Sequence, residues 1–255
     1  MTFALSLGNF YGIDSLVEFF IVLVAFTISY CSYKAYKVTD KKNYGYFSLG
    51  FLFIGISFIF KILSNLTLLY KVRFVSYNFI FEAWTKFKYI ETINFLSFIS
   101  YKIFHVLGFL VLFLILTKTD KKEKVFMFLY MSLIVVFFSV YFNFIFHVTL
   151  VLLLIFLLEH FYRNHKRINS RNSKIVLNGF LIMLFSHIFL VFSEFHPIFY
   201  LIGEILLLIA FSSLLYNQML IRKNIKNKAY GNVNFSKIIP SKKIKKENET
   251  KTNKA

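Results

Sequence analysis

The sequence predicts an all-α integral membrane protein, a bundle of seven transmembrane helices. Of its 255 residues, 58% are hydrophobic and 16% are charged, whereas soluble domains carry about 25% charged residues. Its apolar runs reach the length of about 20 residues that a helix needs to cross a bilayer. Finally, 24 of the 30 Lys and Arg residues lie in every second connection or in the C-terminal tail. This alternation is typical of membrane proteins, whose cytoplasmic loops collect basic residues.

The first three predicted spans are Ser15–Tyr36, Tyr44–Leu69 and Ile93–Thr117. No basic segment or small-residue cleavage site accompanies the first span, so we expect it to stay in place as a membrane anchor. The connection Tyr70–Thr92 mixes apolar and charged residues and contains Trp84. This mixture predicts a helix lying flat at the membrane interface, with a re-entrant segment as the alternative.

The uncharged stretch Val125–Leu158 predicts two short spans rather than one. As a single helix it would be about 50 Å long, too long for one crossing. We therefore divide it into Val125–Tyr141 and Phe144–Phe161, with a turn near Asn143. Two crossings also place the basic connections before and after the stretch on the same side of the membrane.

The last two predicted spans are Ile175–Ser193 and Pro197–Leu220, and a proline at position 197 suits a helix start. Residues 1–220 thus form the membrane domain. Residues 221–255 contain 11 basic residues and no apolar pattern, which predicts a disordered tail. We expect the tail to contact anionic lipid headgroups or a partner protein through Lys242, Lys243, Lys245 and Lys246.

The basic connections follow spans one, three and five, and the tail follows span seven. Because Lys and Arg accumulate in the cytoplasm, the N-terminus is predicted outside and the C-terminus inside. We expect a multi-pass protein of the plasma membrane, most simply a prokaryotic one. Nucleic acid is not an expected partner, because the basic tail has few aromatic residues for base stacking.

Ionisable residues within the spans are costly and therefore point to a candidate site. Apart from Lys34, Glu159 and His160 at the inner boundary, they fall in the predicted outer half or near the midplane: Glu18, Lys61, Lys102, His105, His147, His187 and Glu204. Lys102 and His105 are three residues apart and share a helix face. We expect Lys102 to pair with Glu204 or Glu18, beside His105 and His187, in a polar pocket open to the outside.

The alternative is that these groups only join helices or extend to the interface, as Lys61 could do from the end of its span. No cofactor or metal is expected. Cys31 is the single cysteine and cannot form a Cys-based zinc site. His147 and His160 have a spacing similar to that of paired-haem membrane cytochromes, but no second helix offers the matching histidine pair.

An enzyme is not expected from the sequence motifs. There is no HExxH sequence, no phosphate-binding loop and no Gly-x-Ser-x-Gly elbow. Gly55-Ile56-Ser57, with His187 on a later span, is similar to the serine and histidine of rhomboid proteases, but that family's other histidines have no match. The layout also resembles microbial rhodopsins, yet the last span lacks the lysine that binds retinal.

The layout, with a basic turn before Tyr46-Phe47-Ser48-Leu49-Gly50, loosely resembles the membrane-embedded sensor regions of prokaryotic signalling proteins. This resemblance implies a sensor or receptor-type module whose output passes to a separate signalling or membrane protein. One alternative is a small transporter or channel that uses the same charged residues as an ion path. A second alternative is a structural membrane subunit.

Overall fold

The computed structural model describes residues 13–40, 42–75, 82–117, 122–140 and 142–238. Within these ranges all regular structure is helical, which confirms the predicted all-α fold with seven α-helices. They are α1 (Ile13–Thr39), α2 (Lys42–Val75), α3 (Glu82–Thr117), α4 (Lys122–Ser139), α5 (Asn143–Ile168), α6 (Arg171–Val191) and α7 (Pro197–Ile238), with a 3-10 turn at Phe192–Glu194.

The chain divides into two compact units, residues 1–217 and 218–255. The first unit contains α1 to α6 and the beginning of α7, and the candidate site lies entirely within it. In the second unit the described residues, as far as Ile238, are helical. Lys242, Lys243, Lys245 and Lys246, which we expect to contact lipid or a partner, lie outside the described residues.

Six of the helices are long and apolar enough to cross a membrane. These segments are Asp14–Thr39, Lys42–Leu68, Tyr89–Leu114, Asn143–Ile168, Arg171–Glu194 and Pro197–Ile221. The uncharged stretch Val125–Leu158 includes most of α4 and the first part of α5, with their connection between Ser139 and Asn143. Helix α4 has 18 residues, so it is about 27 Å long. A seventh crossing through α4 therefore stays a prediction.

The connection between the second and third spans differs from the predicted interfacial helix. Residues 70–75 continue α2, and residues 82–92 form the beginning of α3, while 76–81 lie outside the described residues. A helix that stopped at the hydrocarbon boundary would leave its last four carbonyl groups without partners. Continuing the helix satisfies these groups, which explains why α2 extends beyond its apolar stretch.

Two short connections are stabilised by residues in the left-handed backbone region. Asp40 (φ 51°) ends α1 and Asn169 (φ 47°) ends α5, and Asn is among the few non-glycine residues that tolerate this conformation well. The Asn169 N–H donates to the His165 carbonyl oxygen at 2.7 Å. The next residue, Ser170, caps α6 by accepting a hydrogen bond from the Ser173 N–H at 3.2 Å.

Small residues bring the helices that carry the site close together. A Cβ atom on Gly108 of α3 would lie 2.6 Å from the Ile54 side chain and 2.9 Å from the Gly50 carbonyl oxygen of α2. On α7, Gly203 faces Leu190 of α6 in the same way. Such small residues are typical of membrane helix contacts, because they let backbones approach closely.

Large apolar side chains cover the outer surfaces of the helices. Leu96 is 64% exposed and Phe156 is 56% exposed, as expected for side chains that face lipid. Between the helices, Phe211 of α7 contacts Phe51 and Phe58 of α2 edge-on, with ring centroids 6.1 and 6.0 Å apart. These contacts place α7 against α2, next to the candidate site.

Candidate functional site

A buried ion triad joins three helices near the end at which α1 and α7 begin. The Nζ atom of Lys61 on α2 lies 3.0 Å from Oε1 of Glu18 on α1 and 2.5 Å from Oε1 of Glu204 on α7. The Glu18 and Glu204 side chains are 0% and 1% exposed, and Lys61 is 13% exposed. Since water is largely excluded, the attraction between these charges is far stronger than at a protein surface.

Two further features hold the triad in place. Asn65, one helical turn after Lys61, donates from Nδ2 to both carboxylate oxygens of Glu18 at 3.0 Å. The rings of Phe58, Tyr101 and Tyr200 surround the Lys61 ammonium, with centroids 5.5 to 5.7 Å away. Aromatic faces at this distance attract a cation. We call Glu18, Lys61, Asn65 and Glu204 the Lys61 cluster.

The Lys61 cluster carries more negative than positive charge when its carboxylates are ionised. Two carboxylates face one ammonium, and Asp14, which is also buried, is close enough to interact electrostatically with Lys61 and Glu204. One oxygen of Glu204, Oε2, is buried and has no hydrogen-bond partner among the described residues. The cluster therefore retains an unused acceptor oxygen, and its charge is unbalanced when all of its carboxylates are ionised.

A second group of buried polar side chains consists of His105 on α3, His147 on α5 and His187 on α6, which we call the histidine cluster. The Nδ1 atoms of His147 and His187 are 3.4 Å apart, and the ring centroids of His105 and His187 are 5.8 Å apart. Nε2 of both His105 and His187 is buried without a hydrogen-bond partner in the described part of the chain. The cluster thus offers two unused nitrogen atoms.

Ser57 connects the histidine cluster to α2, but its geometry differs from that of a catalytic serine. The Ser57 hydroxyl donates to the Ile54 carbonyl oxygen at 2.6 Å, and its single proton is thereby used. Its contact with His105 Nδ1, at 2.8 Å, is then a bond that His105 donates. In this arrangement His105 does not act as a base toward Ser57, whereas a nucleophilic serine needs that base.

The predicted pairing of Lys102 with Glu204 or Glu18 is wrong. The Lys102 Nζ atom donates to the Ser139 carbonyl oxygen of α4 at 2.5 Å and lies 4.1 Å from the centroid of the Phe98 ring. Lys61 takes the place that the sequence assigned to Lys102. The reason is direction: the Lys102 side chain extends from α3 toward α4, whereas Lys61 points between α1 and α7.

The structure brings the other predicted site residues together in two pairs. Glu18 and Glu204 meet through Lys61, and His105 contacts His187. Phe58 lies between the two pairs, with its ring centroid 5.7 Å from the Lys61 ammonium and 5.3 Å from the His105 ring. A single open pocket shared by all the predicted residues stays a prediction.

Sequence reasoning missed Lys61 as the central cation, did not single out Asn65 or the two tyrosines, and considered Ser57 only as a rhomboid-like serine. One sequence signal could have identified Lys61, Asn65 and Ser57 together. Ser57, Lys61 and Asn65 recur every four residues and therefore share one face of α2. In an otherwise apolar span, such a polar stripe indicates the side that faces other helices.

No set of three or more His, Cys, Asp or Glu residues among the described residues has the arrangement of a metal site. The histidine cluster is accordingly a hydrogen-bonding and ring-packing group in this structure. Cys31, half-buried on α1, is a free thiol.

No protein-family model matches the chain, and comparisons with characterised proteins and with solved structures find no match. Its class therefore follows from the fold and the site. Over the described residues all regular structure is helical, and six apolar helices there reach membrane-spanning length, which indicates a multi-pass membrane protein. Within its first unit, buried ionisable side chains join the helices.

Proposed function

We propose that this chain is a seven-helix integral membrane protein of the sensory or receptor type. Its N-terminus is outside, its C-terminus is cytoplasmic, and the Lys61 cluster is the core of an outward-facing recognition site. The proposal is based mainly on one observation. The ionisable side chains buried in the described helices all lie near the middle of their helices or toward the end at which α7 begins: Asp14, Glu18, Lys102, His105, His147, His187 and Glu204.

The alternation of basic connections supports this orientation. Lys and Arg gather in the connections at the opposite end of the helices, after spans one, three and five. By the positive-inside rule, that end is cytoplasmic and the Lys61 cluster lies toward the outside. The rule also requires α4 to cross the membrane. If α5 crossed alone, the basic connections before α4 and after α5 would face opposite sides. A receptor for an external signal needs its polar site on this side.

A small transporter is the second candidate, and one observation favours it. Three buried oxygen atoms toward the cytoplasmic end have no hydrogen-bond partner among the described residues: Ser32 Oγ, Ser213 Oγ and Asn217 Oδ1. A transport path requires polar groups through the whole depth of the membrane. These three groups are uncharged, however, whereas the opposite half carries the ion triad. We therefore prefer a site open to one side.

Cysteine accessibility distinguishes the two candidates. In a Cys31→Ser background, we would compare Tyr200→Cys, beside the Lys61 ammonium, with Ser213→Cys on the same helix. A charged, membrane-impermeant thiol reagent is applied to intact cells or to inverted vesicles. The receptor proposal expects Tyr200→Cys to react from the outside only and Ser213→Cys to react from neither side.

Two other outcomes would count against the receptor proposal. Reaction of Ser213→Cys from the inside, together with Tyr200→Cys from the outside, supports the transporter instead. Reaction of Tyr200→Cys from the inside alone contradicts the proposed orientation. A topology reporter, fused in one variant after residue 121 and in another after residue 143, tests the crossing by α4. The two fusions should report opposite sides of the membrane.

A further inference from the structure

We infer that the Lys61 cluster, with the aromatic rings around it, is a binding site for a primary ammonium group that approaches from the outside. The ammonium comes from a free amine or from the ethanolamine headgroup of a lipid, and the side chain of Lys61 is the built-in occupant with which it competes. This inference rests on the proposed function for the side from which the site opens. It adds the chemical class of the ligand.

The surroundings of the Lys61 Nζ atom already have the composition of an ammonium site. Carboxylate oxygens of Glu18 and Glu204 accept its hydrogen bonds at 3.0 and 2.5 Å. The rings of Phe58, Tyr101 and Tyr200 face it at 5.5 to 5.7 Å. Charged hydrogen bonds and aromatic faces are the two interactions by which proteins hold organic ammonium ions.

The cluster also has capacity beyond what Lys61 uses. Glu204 Oε2 is buried, belongs to a side chain that is 1% exposed, and has no hydrogen-bond partner among the described residues. When Glu18, Glu204 and Asp14 are ionised, their carboxylates exceed the single ammonium. A second cation with N–H groups would then satisfy the free oxygen and share the carboxylates with Lys61.

The same features indicate the kind of cation. A metal ion is less suited, because the described residues contain no group of three or more ligands arranged to hold one. A quaternary ammonium ion lacks the N–H groups that Glu204 Oε2 can accept. A primary ammonium offers three N–H donors, and its point charge is similar to that of the lysine already present.

We infer the entry route from the exposure of the charged side chains. Glu18 and Glu204 are closed off, whereas the Lys61 side chain keeps 13% of its surface accessible. A ligand therefore approaches past Lys61. As the new ammonium binds Glu204, it weakens the bond between Lys61 and Glu204 that links α2 to α7. Binding in this way would shift the population of α2–α7 arrangements, which is how a receptor reports a ligand.

The test is thermal unfolding of the full chain in phosphatidylcholine nanodiscs during titration with propylammonium. Tetramethylammonium at the same ionic strength is the control for salt. We expect propylammonium to raise the melting temperature of the natural protein saturably, by at least about 3 °C, and tetramethylammonium to leave it unchanged. Glu204→Gln should abolish the rise.

A pair of matched lysine variants keeps the test decisive where Glu204→Gln does not fold. Lys61→Ala leaves the carboxylates without their ammonium, so propylammonium should stabilise it more than it stabilises the natural protein. Lys102→Ala also removes a buried lysine, but one that lies beside no carboxylate pair, so its response should equal that of the natural protein. Equal responses of the two variants would overturn the inference.

The lipid arm separates the two sources of the ammonium. Replacing phosphatidylcholine by phosphatidylethanolamine, without free amine, should raise the melting temperature when the headgroup is the ligand. A rise only with soluble propylammonium identifies a free amine. No rise of the natural protein in either arm overturns the inference, even where Lys61→Ala is rescued. The cysteine accessibility of residue 200 is measured without added amine, so the proposed function is judged separately.

Discussion

Lys61 and Lys102 lie on adjacent helices and have opposite surroundings. Lys61 is held by two carboxylates, one of them supported by Asn65, and by three aromatic rings. Lys102 has a backbone carbonyl and the rings of Phe98 and Phe146. Glu194 interacts with Lys102 electrostatically, but the two form no ion pair in the structure. The difference teaches that burial among the helices does not define a site. The direction of the side chain, and the helices between which it points, decide its partners.

The largest effect should come from Lys61→Met, which leaves Glu18 and Glu204 facing each other without a cation. Removing one partner of a buried ion pair costs about 3–5 kcal/mol of unfolding free energy. Unfolding in mixed micelles measures the loss, with Lys61→Arg as the control that keeps the charge. A loss below about 1 kcal/mol would show that the triad contributes little.

A smaller effect is expected when either carboxylate is replaced alone. Glu18→Gln or Glu204→Gln leaves Lys61 one ionised partner, whereas the double variant leaves a buried ammonium with none of the triad's carboxylates. The loss of stability in the double variant should therefore exceed the sum of the single losses by about 0.5–3 kcal/mol. Additive losses would mean that the two carboxylates do not share one cation.

The smallest effect is expected for Lys102→Met. The variant loses the hydrogen bond to the Ser139 carbonyl oxygen but also removes a charge that is costly to bury. We expect a loss of at most about 1.5 kcal/mol, the range of a single hydrogen bond. Unfolding under the same conditions as Lys61→Met provides the comparison. A loss of unfolding free energy as large as that of Lys61→Met would mean that the two lysines do not differ in their contribution to stability.

Much of the fold could be predicted because hydrophobic length and charge placement are direct consequences of the bilayer. The division of Val125–Leu158 into two helices follows from its length alone. The sequence also places Glu18 and Glu204 within about two turns of the beginning of their spans, and in the structure they lie close to the beginning of α1 and α7. The segment 70–92 was harder, because backbone continuity, rather than its mixed composition, decides where α2 and α3 end.

The partners within the site could not be predicted from apolar patterning. In a membrane protein the surface that faces lipid is as apolar as the surface that faces other helices, so the pattern does not define how each helix is rotated. Apolar patterning therefore did not indicate whether the Lys61 side chain extends toward the membrane interface or points between the helices. The polar stripe formed by Ser57, Lys61 and Asn65 is the part of the sequence that indicates how α2 is rotated.

The most direct test of the central claim is a pair of double-mutant cycles in unfolding free energy. One cycle combines Lys61→Met with Glu204→Gln, and the other combines Lys102→Met with Glu204→Gln. The structure predicts a coupling energy of at least about 1 kcal/mol between Lys61 and Glu204, and less than about 0.5 kcal/mol between Lys102 and Glu204. The reverse result, with the larger coupling at Lys102, would contradict the claim that Lys61 is the cation of the site.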